Sequence, residues 1–249
     1  MKQLTIIIAC ALVVQLGFTQ ELEHVPYQDG KQKLIGLMTS NAKHTEIGVL
    51  ILPAWMGIDR EAKTAALDLQ KQGYMAFVAD IYGEGNTPSD PQAASRLSSG
   101  FKSDYKRYQR RIELAIREMR KLGVRRIAVI GYCFGGTGAL EAARGQLPVE
   151  GVVCIHGGLA KDENRRNQPI HCKVLVEHPA ADQSVKPEHV TQLIEELEQG
   201  QADWQMITYA NAKHTFTNPE SPDYHPIMAK RAWEHTLMFL EEVLNTPTR

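Results

Sequence analysis

Residues 126–136 read Arg-Ile-Ala-Val-Ile-Gly-Tyr-Cys-Phe-Gly-Gly, and no other stretch of the 249-residue chain restricts its fold so much. Arg126 to Ile130 form an apolar run short enough for a buried strand, and from Gly136 to Arg144 the spacing turns helical. A strand that enters a helix through so short a turn brings backbone close on both sides of the tip. A Cβ two positions before or after Cys133 would strike that backbone, so Gly131 and Gly135 stand where they are needed. This is the pattern of a nucleophile elbow with cysteine in the serine position. The helix that begins there turns the positive end of its dipole toward the sulfur, which favours thiolate over thiol. A glycine-rich turn around an inert cysteine would share these glycines. So would a phosphate loop, but the Gly-Lys-Ser/Thr ending of such a loop is missing.

The rest of the chain supplies a sheet to carry the elbow. Apolar runs at Gly48 to Leu52, Tyr74 to Ala79, Arg126 to Ile130, Gly151 to Ile155, Lys173 to Val176 and Trp204 to Tyr209 alternate with helical segments. That alternation indicates βαβ units around a parallel sheet. Asp59 caps a helix whose Ala62, Ala65, Ala66 and Leu69 share one face and which Gly73 ends. A second helix, Asp104 to Leu122, turns Ile112, Ala115, Ile116 and Met119 inward and presents its Arg and Lys residues as a solvated face. Further helices are predicted at Gly136 to Arg144, Pro187 to Gln199 and Pro226 to Leu244, whereas Tyr82 to Gly100 and Gly157 to Pro169 read as loops that shape a pocket. Before the sheet, Asp29-Gly30 predicts a two-residue hairpin turn and an antiparallel start.

The length suits one α/β domain, and 43% hydrophobic against 23% charged residues is the balance of a globular protein with a sizeable core. A net charge of −1 gives no field that would gather nucleic acid or an anionic membrane. Met1-Lys2, the apolar Leu4 to Phe18 and the polar Gln20-Glu21 have the layout of a secretory signal peptide, with cleavage expected near Thr19 or Gln20. The segment is too short, and too interrupted by Gln15, to span a bilayer. The expected protein is therefore exported, with residues 1–20 as signal and 21–249 as one domain, and with no membrane association after cleavage. Anchoring as a lipoprotein at Cys10 is a minor alternative. Removal of Cys10 leaves Cys133, Cys154 and Cys172, an odd number that excludes a disulfide framework. Cys154 and Cys172 fall in or beside buried strands and read as small hydrophobes.

An elbow needs an acid and then a histidine after it in the chain. Asp182 lies in the loop after the strand Lys173 to Val176, and His214 in the loop after Trp204 to Tyr209. Both loops leave the carboxyl ends of parallel strands, the edge where sites of such sheets assemble. His214 would accept the Cys133 proton or hold an ion pair with the thiolate, and Asp182 would fix its tautomer. The oxyanion formed on attack would meet the N–H of Phe134 and one from the loop after Leu52, assigned to Trp55. Nine histidines invite a metal, yet neither His-Glu-x-x-His nor a paired-cysteine spacing occurs. Neither a metal nor a cofactor is expected.

Gly131-Tyr132-Cys133-Phe134-Gly135-Gly136, Val78-Ala79-Asp80-Ile81-Tyr82-Gly83, the Asp182 loop, and His214-Thr215-Phe216 before a helix with Ala232-Trp233 together resemble the dienelactone hydrolase family, from about Ile35 to Leu244. The resemblance implies an α/β-hydrolase fold: a mostly parallel central sheet flanked by helices, here with an antiparallel N-terminal hairpin. It implies an ester or lactone hydrolase with a Cys133–His214–Asp182 triad and an acyl-cysteine intermediate. Tyr82, Glu84, His156 and Asn218 are the expected pocket residues; Tyr82 reads equally as core, and His156, at the end of a predicted strand, reads more readily as a hydrogen-bonded structural histidine. Three positions depart from the dienelactone-cleaving members: Ala54 replaces a glutamate that helps release the cysteine proton, and Glu84 and Asn218 replace arginines that hold the substrate carboxylate. A carboxylate beside Glu84 would be repelled, so a less anionic ester or lactone is expected. Asp59 or Glu84 would have to stand in for the missing glutamate, or His214 act unaided. The alternatives are a true dienelactone hydrolase (carboxymethylenebutenolidase), a thiol redox protein using Cys133, and a non-catalytic ligand-binding protein of hydrolase fold. The buried elbow needs no second copy, so a monomer suffices.

Overall fold

The structure is a computed structural model that describes residues 22–40 and 45–245; residues 1–20, read above as a signal peptide, and Cys10 within them lie outside the described residues. Leu22–Asp29 (β1) and Gln32–Thr39 (β2) form the antiparallel hairpin, with Asp29 opposite Gln32. Gly30 and Lys31 therefore make the turn, one residue later than the expected Asp29-Gly30 pair, because the position that requires positive φ, Gly30 at +59°, is the first of the two central residues.

The remaining strands are Ile47–Leu52 (β3), Met75–Val78 (β4), Arg126–Tyr132 (β5), Gly151–Ile155 (β6), Lys173–Pro179 (β7) and Trp204–Tyr209 (β8). The sheet runs β1-β2-β4-β3-β5-β6-β7-β8, antiparallel up to the β2–β4 pair and parallel from β4 onward. Chain order reverses at β3, with β4 on one side of it and β5 on the other. A crevice opens at the carboxyl ends of such a pair, and the loop after β3 and the Cys133 turn after β5 flank it.

Side chains alternate along each strand, so the sheet is apolar on both faces. Leu50, Leu52, Val129 and Val152 pack on one side with Tyr105–Lys121 (α3), Phe134–Arg144 (α4) and Pro187–Gln199 (α5). Val49, Ile51, Ile130 and Val153 pack on the other with Arg60–Lys71 (α1) and Pro226–Asn245 (α6). Helix α4 is buried along its whole length, and its last residue, Arg144, is held by Glu196 of α5 at 2.9 Å and Glu141 at 3.1 Å. Each of these buried charges has a partner, as burial requires.

A second expectation needs correction. Pro91–Ser103 is a helix (α2) that begins inside the stretch read as a loop from Tyr82 to Gly100 and runs three residues past it. Ser95, Ser98, Ser99 and Gly100 are poor helix formers, which hides it in the sequence. Asp90 accepts the Ala93 N–H at 2.8 Å, Pro91 starts the helix, and Phe101 is buried against Tyr108 and Phe134. That packing outweighs the weak propensity. On the other face, the Asp59 side chain caps α1 by accepting the Ala62 N–H at 2.9 Å. Asp59→Ala is expected to cost about 1 kcal/mol, read as a lowered midpoint in urea denaturation.

Candidate active site

The turn at the end of β5 holds Cys133 at φ +52° and ψ −110°, a left-handed conformation that a non-glycine residue adopts only when its surroundings impose it. They do so at close range. A Cβ on Gly131 would lie 2.0 Å from the Gly135 carbonyl oxygen, and one on Gly135 would lie 2.0 Å from that of Leu52. The Cys133 N–H is shared between Ile155 O at 3.0 Å and the Nδ1 of His156 at 3.1 Å. Cys133 Sγ faces His214, whose Nε2 is 3.0 Å away, and the Nδ1 of His214 is 2.8 Å from Asp182 Oδ2. The three side chains that sequence order associates thus lie in one hydrogen-bonded line, brought together by the loops after β5, β7 and β8.

The protonation of this line follows from its neighbours. Burial alone would lower the pKa of His214, but the hydrogen bonds to Asp182 and Cys133 outweigh it and raise the pKa to about 10. Burial of Asp182 would raise its pKa, yet the His214 bond and charge and the Ser184 N–H, at 2.7 Å, hold it below the usual carboxylate range. Behind the line, His156 is almost fully buried; burial and the charge of His214 push its pKa down to about 3, so its ring stays neutral. Its Nε2 bonds Thr217 Oγ1 at 2.7 Å, and Thr217 donates to Glu61 Oε1 at 2.6 Å. Sequence reading did not single out Thr217 or Glu61; the two are 156 positions apart, and no local spacing marks them.

Phe134 is the first residue of α4, where the N–H has no intrahelical acceptor. Its ring lies between Tyr108, at 4.6 Å, and Tyr82, at 5.7 Å, both nearly parallel to it. Tyr82 also donates to the Trp55 carbonyl at 2.8 Å, and the Gly57 N–H closes a turn on Ala54 O at 3.0 Å, which fixes the loop carrying Trp55 across the crevice. Tyr82, Glu84, Ala54 and Phe134 line a cavity of about 320 Å³ on this side. Neither stand-in acid reaches the sulfur: Asp59 caps α1, and Glu84 pairs with Lys33 at 3.1 Å. Asn218 and His156, expected in the same pocket, are elsewhere. Asn218 lines a second cavity of about 440 Å³ between α1 and α6, and His156 is packed behind His214, 5.5 Å between ring centres. Cys154 and Cys172 are buried free thiols, each pushed up to about 12 by that burial. Among the described residues no three His, Cys, Asp or Glu side chains gather to hold a metal ion.

Residues 35–244 match the sequence model of the dienelactone hydrolase family. A Bradyrhizobium protein described as a probable 2-oxo-3-(5-oxofuran-2-ylidene)propanoate lactonase is 27% identical over 77% of this chain and 82% of its own. A putative carboxymethylenebutenolidase of Escherichia coli (strain K12) is 24% identical over 78% of this chain and 76% of its own. Among solved structures, a dienelactone hydrolase-like promiscuous phosphotriesterase from metagenomic libraries superposes with a TM-score of 0.84 at 29% identity, covering 90% of this chain and 99% of that one.

Proposed function

This chain belongs to the dienelactone hydrolase family, and from that premise we propose that it cleaves carboxylic esters or lactones by attack of the Cys133 thiolate. The observation that carries the reading is the hydrogen-bonded line of Cys133, His214 and Asp182, at 3.0 and 2.8 Å. With His214 protonated on both nitrogens, each N–H has an anionic acceptor, the thiolate on one side and the Asp182 carboxylate on the other. The thiolate adds to the carbonyl carbon, and the Phe134 and Trp55 N–H groups receive the oxyanion. His214 then gives its Nε2 proton to the leaving oxygen, which departs as alcohol and leaves an acyl-cysteine. The neutral ring takes a proton from water, hydroxide adds to the acyl carbon, and collapse restores thiolate and imidazolium. The charge-then-apolar pattern of residues 1–20 supports an exported enzyme.

The substrate we propose is a neutral or weakly anionic ester or lactone. No arginine lines the cavity beside Phe134 among the described residues, Ala54 puts a methyl group there, and Glu84 already holds Lys33. The test is turnover of neutral aryl esters, simple lactones and cis- and trans-dienelactone. Faster cleavage of the neutral compounds is expected, and preference for dienelactone would contradict the substrate assignment. A second reading, cleavage of neutral phosphate triesters, is favoured by the likeness to the metagenomic phosphotriesterase; an aryl phosphate triester in the same panel decides it. A thiol redox role has less support, because the two other described cysteines are buried with strongly raised pKa values.

The raised pKa of His214 gives a pH dependence of definite sign. Activity is expected to hold through neutral pH and to fall as pH rises through about 10, where the imidazolium deprotonates. The stability that the pairing contributes is complete below the ordinary histidine value and is lost over the same rise. A pH profile of kcat/KM checks this; an alkaline limb centred on the ordinary histidine value of about 6.5 would show that the pairing does not control the reaction.

A further inference from the structure

We propose that Glu61, Thr217 and His156 form a second hydrogen-bonded line to Cys133, a set of positioning residues that fixes the Cys133 peptide so that its sulfur stays aligned with His214. The proposal rests on the reading of Cys133 as nucleophile. It stands on three contacts: Cys133 N–H to His156 Nδ1 at 3.1 Å, His156 Nε2 to Thr217 Oγ1 at 2.7 Å, and Thr217 Oγ1 to Glu61 Oε1 at 2.6 Å.

These contacts have one consistent direction. An amide N–H can only donate, so His156 Nδ1 must be bare and its proton must sit on Nε2. That N–H donates to Thr217 Oγ1, and the single hydroxyl proton of Thr217 is then free for Glu61. A carboxylate at the end of the line is what keeps the hydroxyl pointing away from the histidine. With an apolar residue at 61, the Thr217 proton can turn to His156 Nε2, and the ring proton then moves to Nδ1. There it would face the Cys133 N–H, donor against donor, and only Ile155 O would still hold the amide.

The surroundings suit this role. Cys133 and His156 both have positive φ, at +52° and +39°, so two strained residues hold each other in place. The His156 ring packs edge-on against His214 and against Phe216, and the His156 N–H is anchored to Glu177 O at 2.9 Å. Thr217 is three residues from His214 in the same loop. A shift along the line would thus reach both partners of the Cys133–His214 contact without touching substrate.

The test uses the protein with Glu61→Leu, Glu61→Gln and Thr217→Val, assayed well above the pH of about 7 to which burial lifts the Glu61 carboxyl. Three quantities are read: the protonated nitrogen of His156 in ¹⁵N-histidine-labelled protein, the rate of Cys133 alkylation by iodoacetamide, and kcat and KM for a neutral aryl ester. Glu61→Leu is expected to move the His156 proton to Nδ1, whereas Thr217→Val, which has no hydroxyl proton to offer, is expected to leave it on Nε2 and only free the ring from its anchor; both are expected to lower alkylation rate and kcat about tenfold with KM unchanged, as small misplacements of reacting groups do. Gln keeps an acceptor oxygen, so Glu61→Gln is expected to stay near wild type. Leucine in place of a buried carboxyl is expected not to lower the melting temperature, which separates misplacement from misfolding. Unchanged His156 protonation, alkylation and kcat in a folded Glu61→Leu protein would overturn the proposal, and so would Glu61→Gln impaired as badly as Leu. Alkylation and the nitrogen signal need no ester turnover. Glu61-dependent alkylation in a protein that hydrolyses no ester would therefore sink the hydrolase reading and leave this line standing.

Discussion

Cys133→Ala is expected to lower kcat/KM for neutral esters by about 10⁶-fold, with His214→Ala close behind, the scale on which nucleophile and base are lost in comparable hydrolases. The double variant should be hardly worse than either single one, because the two groups act as a unit. Asp182→Asn should lose somewhat less, about 10⁴-fold, since the ring of His214 would still be present but no longer held in its doubly donating state by a carboxylate 2.8 Å away. None of these variants should unfold the chain, as Cys133 is only partly buried and the helix behind it is secured by Arg144, Glu141 and Glu196. Steady-state kinetics beside circular dichroism and melting curves make the measurement. A Cys133→Ala protein that keeps even a hundredth of the wild-type rate would remove the cysteine from the mechanism.

Gly135→Ala is the substitution expected to harm the fold most. The new Cβ would lie 2.0 Å from the carbonyl oxygen of Leu52, 2.5 Å from its carbonyl carbon and 2.8 Å from Pro53 O. All three are backbone atoms at the end of β3, so no side chain can rotate away, and α4 cannot retreat because it is buried throughout. Either β3 and β5 separate at the crevice or the turn around Cys133 opens, at a cost of about 3 kcal/mol or more. Gly100→Ala makes the matched control: it lies inside α2 with nothing within 4 Å of its would-be Cβ. It should stabilise the protein by about 1 kcal/mol. Urea midpoints for the two variants should move in opposite directions; a Gly135→Ala protein with the wild-type midpoint would mean the turn is looser than these distances state.

The parts of the structure that the sequence displays are those governed by local chemistry. The elbow is legible because two glycines must flank Cys133, and the parallel sheet because Val49, Leu50, Ile51 and their counterparts are apolar on both faces. The association of Asp182 and His214 with Cys133 follows from chain order plus the rule that loops at strand carboxyl ends converge. What stays hidden is decided by tertiary approach. Helix α2 forms through burial of Phe101 against the Tyr108–Phe134 stack, a gain that its serine-rich sequence does not advertise. Glu61 sits on a helix face that its neighbours Ala62 and Ala65 mark simply as buried, and only the return of the chain at Thr217 gives it a partner. His156 ends a strand at the site edge and so reads as pocket wall or as a hydrogen-bonded structural histidine; its left-handed backbone turns the ring under Cys133, which makes it the second. Analogy with two substrate-holding arginines pairs Asn218 with Glu84, whereas the two line separate cavities.

The central claim, that Cys133 carries the acyl group, is tested most directly by acid-quenching the reaction with a neutral aryl ester during the first turnover and mapping the digested protein by mass spectrometry. The account predicts the acyl mass on the peptide containing Cys133, in an amount matching the burst of released phenol, and its absence from Cys133→Ala. An acyl group on another residue, or a burst of phenol with Cys133 unmodified, would contradict it.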